Sequence, residues 1–487
     1  MARGSGGLGW TRRRVLGWAA AAGGAVAAAG GLAGCASGAA QSSTGPAPAT
    51  TAATTTLVVS IGFQGAGNYQ GTMQKIIEEY INQHWLPTHP GVAVKTVAGS
   101  GSNGNNVGAS TVLTNSLAGQ VTDVVTGCCS DVQTYNGAHL LMPLDPLLRK
   151  ANVDTSKFSQ GHLAALQFAG QQLGLPQYDG PEVLIYNEAI LDALGLAYPD
   201  PNWTYQDANR LWAACTSKAK GKAVTGAGLD TGDYNWLVHA WGGEETDATG
   251  TVAHFDSEQS IAAFTWMRDG QIAGVVGGGG STSDIKAGHY AFGANGGWTI
   301  EDAAVNLQSV KWNYAPMPKF PGGPSTFVNN DFYGINQYTK NPIDLVWDIF
   351  NFVVLDDGFQ KLIYQTTFVT PNRTDLWDDW IQIVRAVAPP LKNKHLEYYQ
   401  GAMSYGWSNQ FFKYNALTVQ NLKGTWINKI YTQKVDVRLG LQQLTQQINA
   451  LETAGASYAA VEAAGAKTAA TEFPTTGPTV AMVQPGL

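Results

Sequence analysis

Apolar residues along this chain switch repeatedly between strand-like and helix-like spacing. Leu57-Val-Val-Ser-Ile-Gly-Phe63 is a β-rich apolar run of the kind a buried strand carries. After a Gly-rich stretch from Gln64 to Gly71, Met73, Ile76, Ile77, Tyr80 and Ile81 return every three or four residues and predict a helix that ends by Pro87. Val92–Val97 predicts the next strand. Residues 107–118 predict a second helix through Val107, Leu113 and Leu117, and Asp123–Thr126 a third strand. This alternation is that of a βαβ open sheet, which binds ligands beyond the carboxyl ends of its strands. The loops after Phe63 and Thr126 therefore become candidate sites, with Gln64 and Asn68 in the first and Ser130 and Asp131 in the other.

The later chain repeats the mixture. Val183–Tyr186 predicts a strand, Glu188–Leu194 a short helix, and Thr204 caps a helix running through Leu211 and Trp212. Asp284–Tyr290 predicts a helix before a Gly-Ala-Asn-Gly-Gly turn at 293–297. Residues 343–355 and 358–364 predict helices, and in 439–451 Leu441, Leu444, Ile448 and Leu451 share one face. Residues 466–487 return to Ala, Thr, Pro and Gly, the composition of a flexible tail. No internal repeat is present.

Composition changes the picture mainly at the N-terminus. Charged residues make up 13% of the chain, about half the ~25% usual in soluble proteins. The net charge of −7, with no basic cluster beyond the N-terminus, excludes nucleic acid as an expected partner. Thr11-Arg-Arg-Arg-Val-Leu16, an apolar Ala/Gly stretch and Leu32-Ala-Gly-Cys35 form a signal peptide over residues 1–34, too short for a confident membrane span. Arg12-Arg13 resembles a twin-arginine export motif, and Leu-Ala-Gly-Cys a bacterial lipobox that would place a lipid on Cys35. Removing residues 1–34 takes away four arginines and no acid, so the mature chain carries −11. The remainder of 35–56 is uncharged Ala, Ser, Thr, Gly and Pro with one Gln, the composition of a flexible linker.

Several segments follow one another along the chain. They are Gly170-Gln-Gln-Leu-Gly-Leu-Pro176, Val183-Leu-Ile-Tyr-Asn-Glu188, Leu194-Gly-Leu and Pro201-Asn-Trp-Thr204. Ala291-Phe-Gly-Ala-Asn-Gly-Gly-Trp298, Tyr314-Ala-Pro-Met-Pro318, Phe332-Tyr-Gly-Ile-Asn336 and Phe368-Val-Thr-Pro-Asn-Arg373 follow. In this order they resemble the bacterial extracellular solute-binding proteins of ABC importers, on the carbohydrate-binding side, with one departure: Trp203-Thr204 reverses that family's usual pair. The resemblance spans about residues 57–460. It implies an α/β fold of the type II periplasmic-binding-protein class, two α/β lobes joined by a crossing hinge with the ligand cleft between them. The implied crossings lie near 176–181, 314–319 and 370–374. They give an N-terminal lobe of 57–177 and 315–372 and a C-terminal lobe of 178–314 and 373–465. The resemblance also implies a lipid-anchored, extracytoplasmic, monomeric carrier that is not an enzyme, needs no cofactor and hands a small solute to a membrane permease. No Gly-x-x-x-x-Gly-Lys-Ser/Thr loop is present for ATP hydrolysis.

Sugars offer apolar ring faces to aromatics and hydroxyl edges to carboxylates and amides. The 15 Trp exceed what a core is expected to need. By the resemblance Trp298 takes the position of the family's stacking aromatic, with Asn295 just before it. Tyr178 and Asp179 sit on the first implied crossing, although Asp is also a turn former. One of Tyr234, Trp236 or Trp241 is expected to face the cleft, each being equally at home in a core. Asp331 and Tyr333 precede a strand end, with Asn329 and Asn330 adding amides. Arg373 either bonds the ligand or braces the hinge.

Cys128, Cys129 and Cys215 leave three outcomes open: a vicinal disulfide, a bond to Cys215, or thiols. Metal capture is not expected, since the eight His show no ligand-like spacing. Two alternatives stand beside the sugar carrier. Asp179, Asp233 and Asp331 would suit a polyamine or another polar solute. A secreted glycoside hydrolase would need a carboxylate pair, which nothing in the sequence selects.

Overall fold

The computed structural model describes residues 55–61, 70–99, 109–128, 131–137, 139–168, 170–218, 224–229, 235–408 and 412–472. The signal segment, Cys35, the linker up to residue 54, and Gln64, Asn68, Cys129, Ser130, Asp233 and Tyr234 lie outside the described residues.

The first sheet is built from β1 (Thr55–Ile61), β2 (Val92–Ala98) and β3 (Val124–Gly127). β1 pairs in parallel with both neighbours, as the strand–helix alternation predicts. A short ribbon, β4 (Gln167–Phe168) and β5 (Gln171–Gln172), precedes β6 (Leu175–Pro176). The second sheet centres on β7 (Gly180–Asn187) and holds β8 (Thr225–Gly228), β9 (Val276–Gly277), β10 (Tyr290–Gly296), β11 (Trp312–Ala315), β12 (Thr326–Asn329) and the edge strand β14 (Gly406–Ser408). β13 (Phe332–Ile335) returns to the first sheet, where it lies antiparallel between β3 and β6. The sheet orders are β2-β1-β3-β13-β6 and β14-β12-β7-β10-β8-β9, with β11 also paired to β7.

Strand residues project alternately to opposite faces, and each sheet is covered on both. Val124, Tyr333 and Ile335 meet the helices Gln70–His84 and Ile343–Leu355 on one face of the first sheet. Val125 and Phe332 meet Val112, Tyr135 and Leu166 on the other. All eight residues of β7 are buried. Leu184 and Tyr186 face Trp203, Trp212 and Trp236, while Val183 and Ile185 face Trp312, Trp377 and Trp380. The excess of Trp is therefore largely structural. A fifth cluster joins the helices Ala416–Tyr431 and Val437–Glu472 to Phe255 and Phe264.

Local chemistry sets the boundaries. Asn187 ends β7 and accepts the Ile190 N–H at 3.1 Å, capping the helix Glu188–Leu194, which Gly195 closes in the left-handed region at φ 63°. Thr204 and Asp207 cap the helix Tyr205–Lys218 reciprocally, at 3.3 and 2.9 Å.

Four expectations are corrected. The helix expected over 284–290 spans Thr282–Ala287 and stops at Gly288, φ 75°, which frees Tyr290 to begin β10. Residues 293–296 belong to that strand rather than to a turn; Gly293 is required because a Cβ there would collide with the Gly280 carbonyl. The chain does not change sheets at 314–319. Tyr314 and Ala315 pair with β7, and mutual hydrogen bonds of Lys319 with Trp203 (3.0 Å) and Tyr205 (2.9 Å) hold the next segment to the same lobe. The change falls at Asn330–Asp331, between β12 and β13. Finally, the last helix continues through Glu472, beyond the expected tail boundary at 466, and residues 473–487 lie outside the described residues.

Candidate functional site

Three crossings run side by side between the sheets: Gln177–Asp179, Asn330–Asp331 and Phe368–Arg373. The Gln177 N–H donates to the Asp331 carbonyl at 2.9 Å, and the Asp179 N–H to the Pro371 carbonyl at 2.8 Å. The Thr370 hydroxyl donates to the Asp179 carbonyl, and the Asn372 amide donates to Pro176 and Val354 carbonyls at 3.3 and 2.9 Å. Away from the crossings, β14 lies against the helix Gln160–Ala165 of the first lobe, and the helix Asp131–Gly137 against Ala416–Tyr431 of the second.

The crossings bury a dense set of polar side chains. His162 Nδ1 and Asp179 Oδ1 are 2.7 Å apart with both side chains inaccessible. Burial raises the Asp179 pKa, opposed by the bond to His162 and that ring's charge. Burial likewise pushes Asp331 up to about 7; a hydrogen bond from Tyr178 and the charge of His162 oppose the rise, and the negative charge of Asp131 adds to it. Asn329 donates to the Tyr178 hydroxyl at 3.4 Å. Among the described residues, His162 Nε2, Asp179 Oδ2, Asp331 Oδ1, Asn372 Oδ1 and both amide atoms of Asn330 find no hydrogen-bond partner. Buried polar atoms are normally satisfied, and the six at the crossings form one group, although Trp212, Trp241 and Trp377 in the second-lobe cores also leave indole N–H groups unmatched.

Trp298 stands beside this set. It is half-buried and touches the cores of both lobes. Its ring lies so close to the first crossing that a Cβ on Gly180 would come within 2.9 Å, and it meets Phe327 edge-on at 6.2 Å.

The crossings thus bring together Tyr178, Asp179, Trp298 and Asp331, with half-buried Asp131 accepting the Cys128 N–H at 3.0 Å nearby. Tyr333 lies beneath them in the first core, its hydroxyl pKa raised by burial. The remaining expected residues are used elsewhere. Trp236 is 1% exposed and belongs to the second-lobe core. Trp241 packs against Tyr205 and Phe320 at 5.5 and 6.4 Å. Asn295 accepts the Tyr399 hydroxyl at 2.7 Å. Arg373 is a brace: it donates to Asp357 (2.5 Å), Asp375 (3.0 Å) and the Leu355 carbonyl (2.8 Å). Cys128 is not in a disulfide, and Cys215 is buried in the second-lobe core.

His162, which meets Asp179 at the crossings, was not among the expected residues. His162 is a lone histidine in a six-residue helix, with no local pattern to single it out. Trp407 sits on β14 opposite Phe327 and stacks on His239 at 5.8 Å. Among the described residues, no group of three or more His, Cys, Asp or Glu is arranged to hold a metal, and no helix is long and apolar enough to cross a membrane.

Two α/β lobes, crossed three times by the chain and meeting over buried polar groups, define the type II periplasmic-binding fold. The chain belongs to the bacterial extracellular solute-binding proteins, whose family model matches residues 66–358. An ABC substrate-binding protein from Listeria monocytogenes in complex with cycloalternan is similar at TM-score 0.66 and 17% identity, over 82% of this chain and 98% of that one. A cyclic α-maltosyl-1,6-maltose binding protein from Arthrobacter globiformis gives TM-score 0.65 and 17% identity, over 82% and 100%. UgpB from Mycobacterium tuberculosis in complex with glycerophosphocholine gives 0.66 and 16%, over 80% and 97%. A search of curated proteins returns no match. The family and these neighbours bind solutes rather than transform them.

Proposed function

We propose that this chain is an extracytoplasmic carrier, tethered through a lipid on Cys35, that captures a sugar or oligosaccharide and delivers it to an ABC import permease. One observation carries the reading. A half-buried Trp298 touches both lobes beside a set of buried hydrogen-bonding groups, the pairing of apolar platform and polar edge that a sugar ring needs. Neighbours bound to cycloalternan or named for cyclic maltosyl-maltose support it. The ligand-contacting set in this reading is Tyr178, Asp179, Trp298, Asp331 and Asp131, joined by Gln64, Asn68 and Ser130 outside the described residues. The tether rests on the Arg12-Arg13 and Leu-Ala-Gly-Cys35 segments.

The test is a thermal-shift screen of the purified chain with mono- and oligosaccharides, paired with a reducing-end assay. A ligand at about 100 times its Kd adds about 2.7 kcal/mol of stability. A shift without new reducing ends supports a carrier; new reducing ends would reveal a hydrolase. Cys35→Ala should move the protein from membrane to soluble fraction, and unchanged retention refutes the tether. A polar solute other than a sugar is the second reading. Asp131 and Asp331 interacting at the crossings, with Asp179 held there by His162, favour it, as does the glycerophosphocholine-bound neighbour.

A further inference from the structure

We propose that Phe368, the first residue of the third crossing, is a strained pivot that opposes contact between the lobes, so that a bound solute rather than spontaneous collapse sets their closed arrangement. The inference rests on the two-lobe fold and not on the identity of the solute.

Among the described residues, the non-glycine positions in the left-handed region are His139, Asn152, Phe368 and Gln433. His139, Asn152 and Gln433 are exposed and polar, and His and Asn are among the types that tolerate this conformation best. Phe368, at φ 58° and ψ 7°, is the bulky and half-buried one. A Cβ there crowds the following carbonyl oxygen, which disfavours the left-handed form by a factor of about ten. Such a residue persists only where its surroundings over-determine it.

The surroundings here come from both lobes. The helix Asp357–Thr367 enters the crossing with Phe359 and Ile363 in the first-lobe core. Phe368 packs against the second-lobe cluster that holds Trp377 and Trp380, and its carbonyl accepts the Trp380 indole N–H at 3.2 Å. The very next residue, Val369, is back in the first-lobe core, and its N–H donates to the Thr367 hydroxyl at 3.3 Å. Right-handed geometry at 368 would simply continue the helix. The left-handed residue instead sends two consecutive side chains into opposite lobes, and the strained conformation is the one that holds both anchors at once.

The lobes touch in this arrangement, through β14 on the helix Gln160–Ala165 and the helix Asp131–Gly137 on Ala416–Tyr431. Parting them releases Phe368 from one anchor and lets φ return to the negative side, which recovers the cost. The strain therefore loads the closed side of the lobe equilibrium, and contacts made by a solute held between the lobes must offset it.

The experiment is small-angle X-ray scattering on the purified, ligand-free chain, fitted as two populations with compact and parted lobes. Phe368→Gly and Phe368→Ala lose the same ring and differ only in the Cβ that the left-handed region penalises. The compact-to-parted ratio should be about fivefold higher in Phe368→Gly than in Phe368→Ala. Phe368→Asn should fall nearer the glycine variant, because Asn tolerates the conformation. Melting temperature is not the readout, since glycine also loosens the unfolded chain. Trp380→Phe keeps the Phe368 ring and removes the donor on its carbonyl, so it should shift the ratio towards parted lobes. Equal ratios in the glycine and alanine variants, or a higher one in alanine, overturn the inference. If circular dichroism shows that variants at 368 do not fold, Trp380→Phe decides, and a ratio equal to that of the wild type overturns it.

Discussion

Trp203 and Asp331 are almost equally removed from solvent, at 4% and 3% exposure, yet their surroundings differ in kind. The Trp203 indole N–H donates to the Pro316 carbonyl at 3.0 Å, and its ring meets Trp212 and Phe292 at 6.1 and 5.9 Å. Asp331 has Tyr178 and Asn329 on its carboxyl, an unmatched oxygen, and an unmatched amide next to it. Burial alone therefore does not separate scaffold from site. The aromatic residues that give this chain its unusual composition mostly complete the second lobe. Polar atoms without partners occur at the crossings and also in the second-lobe cores, where Trp212, Trp241 and Trp377 each leave an indole N–H unmatched.

Four substitutions or conditions press on that contrast. Trp203→Ala should have the largest effect, about 3–5 kcal/mol lost in chemical denaturation, with ligand affinity of the surviving folded protein unchanged. A large affinity loss would mean that the aromatic core is not merely scaffold. His162→Ala should cost about 3 kcal/mol, because it leaves Asp179 buried without its partner. A neutral outcome would show that the crossing is far wetter than its burial implies. Trp298→Ala should weaken a bound sugar by about tenfold while lowering the ligand-free melting temperature less than Trp203→Ala does. Affinity unchanged by calorimetry would remove Trp298 from the site.

The smallest effect is a slope with pH. Burial lifts Asp331 at the crossing and Glu301 in the second lobe to about 7, with Asp302 assisting at Glu301. A folded-state pKa above the unfolded one means the native state binds more protons over that interval. Each group's contribution is thus present in full below the unfolded value of 3.8 or 4.5 and is lost as pH rises through about 7. Urea midpoints should fall from about pH 5 to 7.5, less so in Glu301→Gln or Asp331→Asn, and steepest loss in the double wild type. Identical slopes in all three proteins would refute both assignments.

Much of the fold was legible because it is written locally. The strands β1, β2 and β7 carry apolar runs, and Asn187 and Thr204 mark helix starts by their own side chains. The second crossing was not legible. Tyr314-Ala-Pro-Met-Pro318 reads as a strand followed by a break, but whether the next strand joins one sheet or the other depends on pairings with distant residues. Of the candidate residues, Tyr178, Asp179, Trp298 and Asp331 were singled out by type, and the crossings bring them together. Type was misleading at Trp236, whose ring is indistinguishable in sequence from a cleft aromatic, and at Arg373, whose partners Asp357 and Asp375 declare themselves only in space. His162 lacked any signal because its meaning comes from Asp179, on another element.

The position of β13 carries a consequence for how the chain is made. Its Phe332 pairs with Gly127, more than two hundred residues earlier, and it separates β3 from β6. The first lobe, although begun at the N-terminal end, cannot close until the second-lobe segment from β7 to β12 has been synthesised. Closing so long a loop before any contact rewards it slows folding. A nascent chain ending before residue 332 therefore presents the flanks of β3 and β6 unpaired, and the interval until β13 arrives is when this protein most needs a partner to keep it from aggregating.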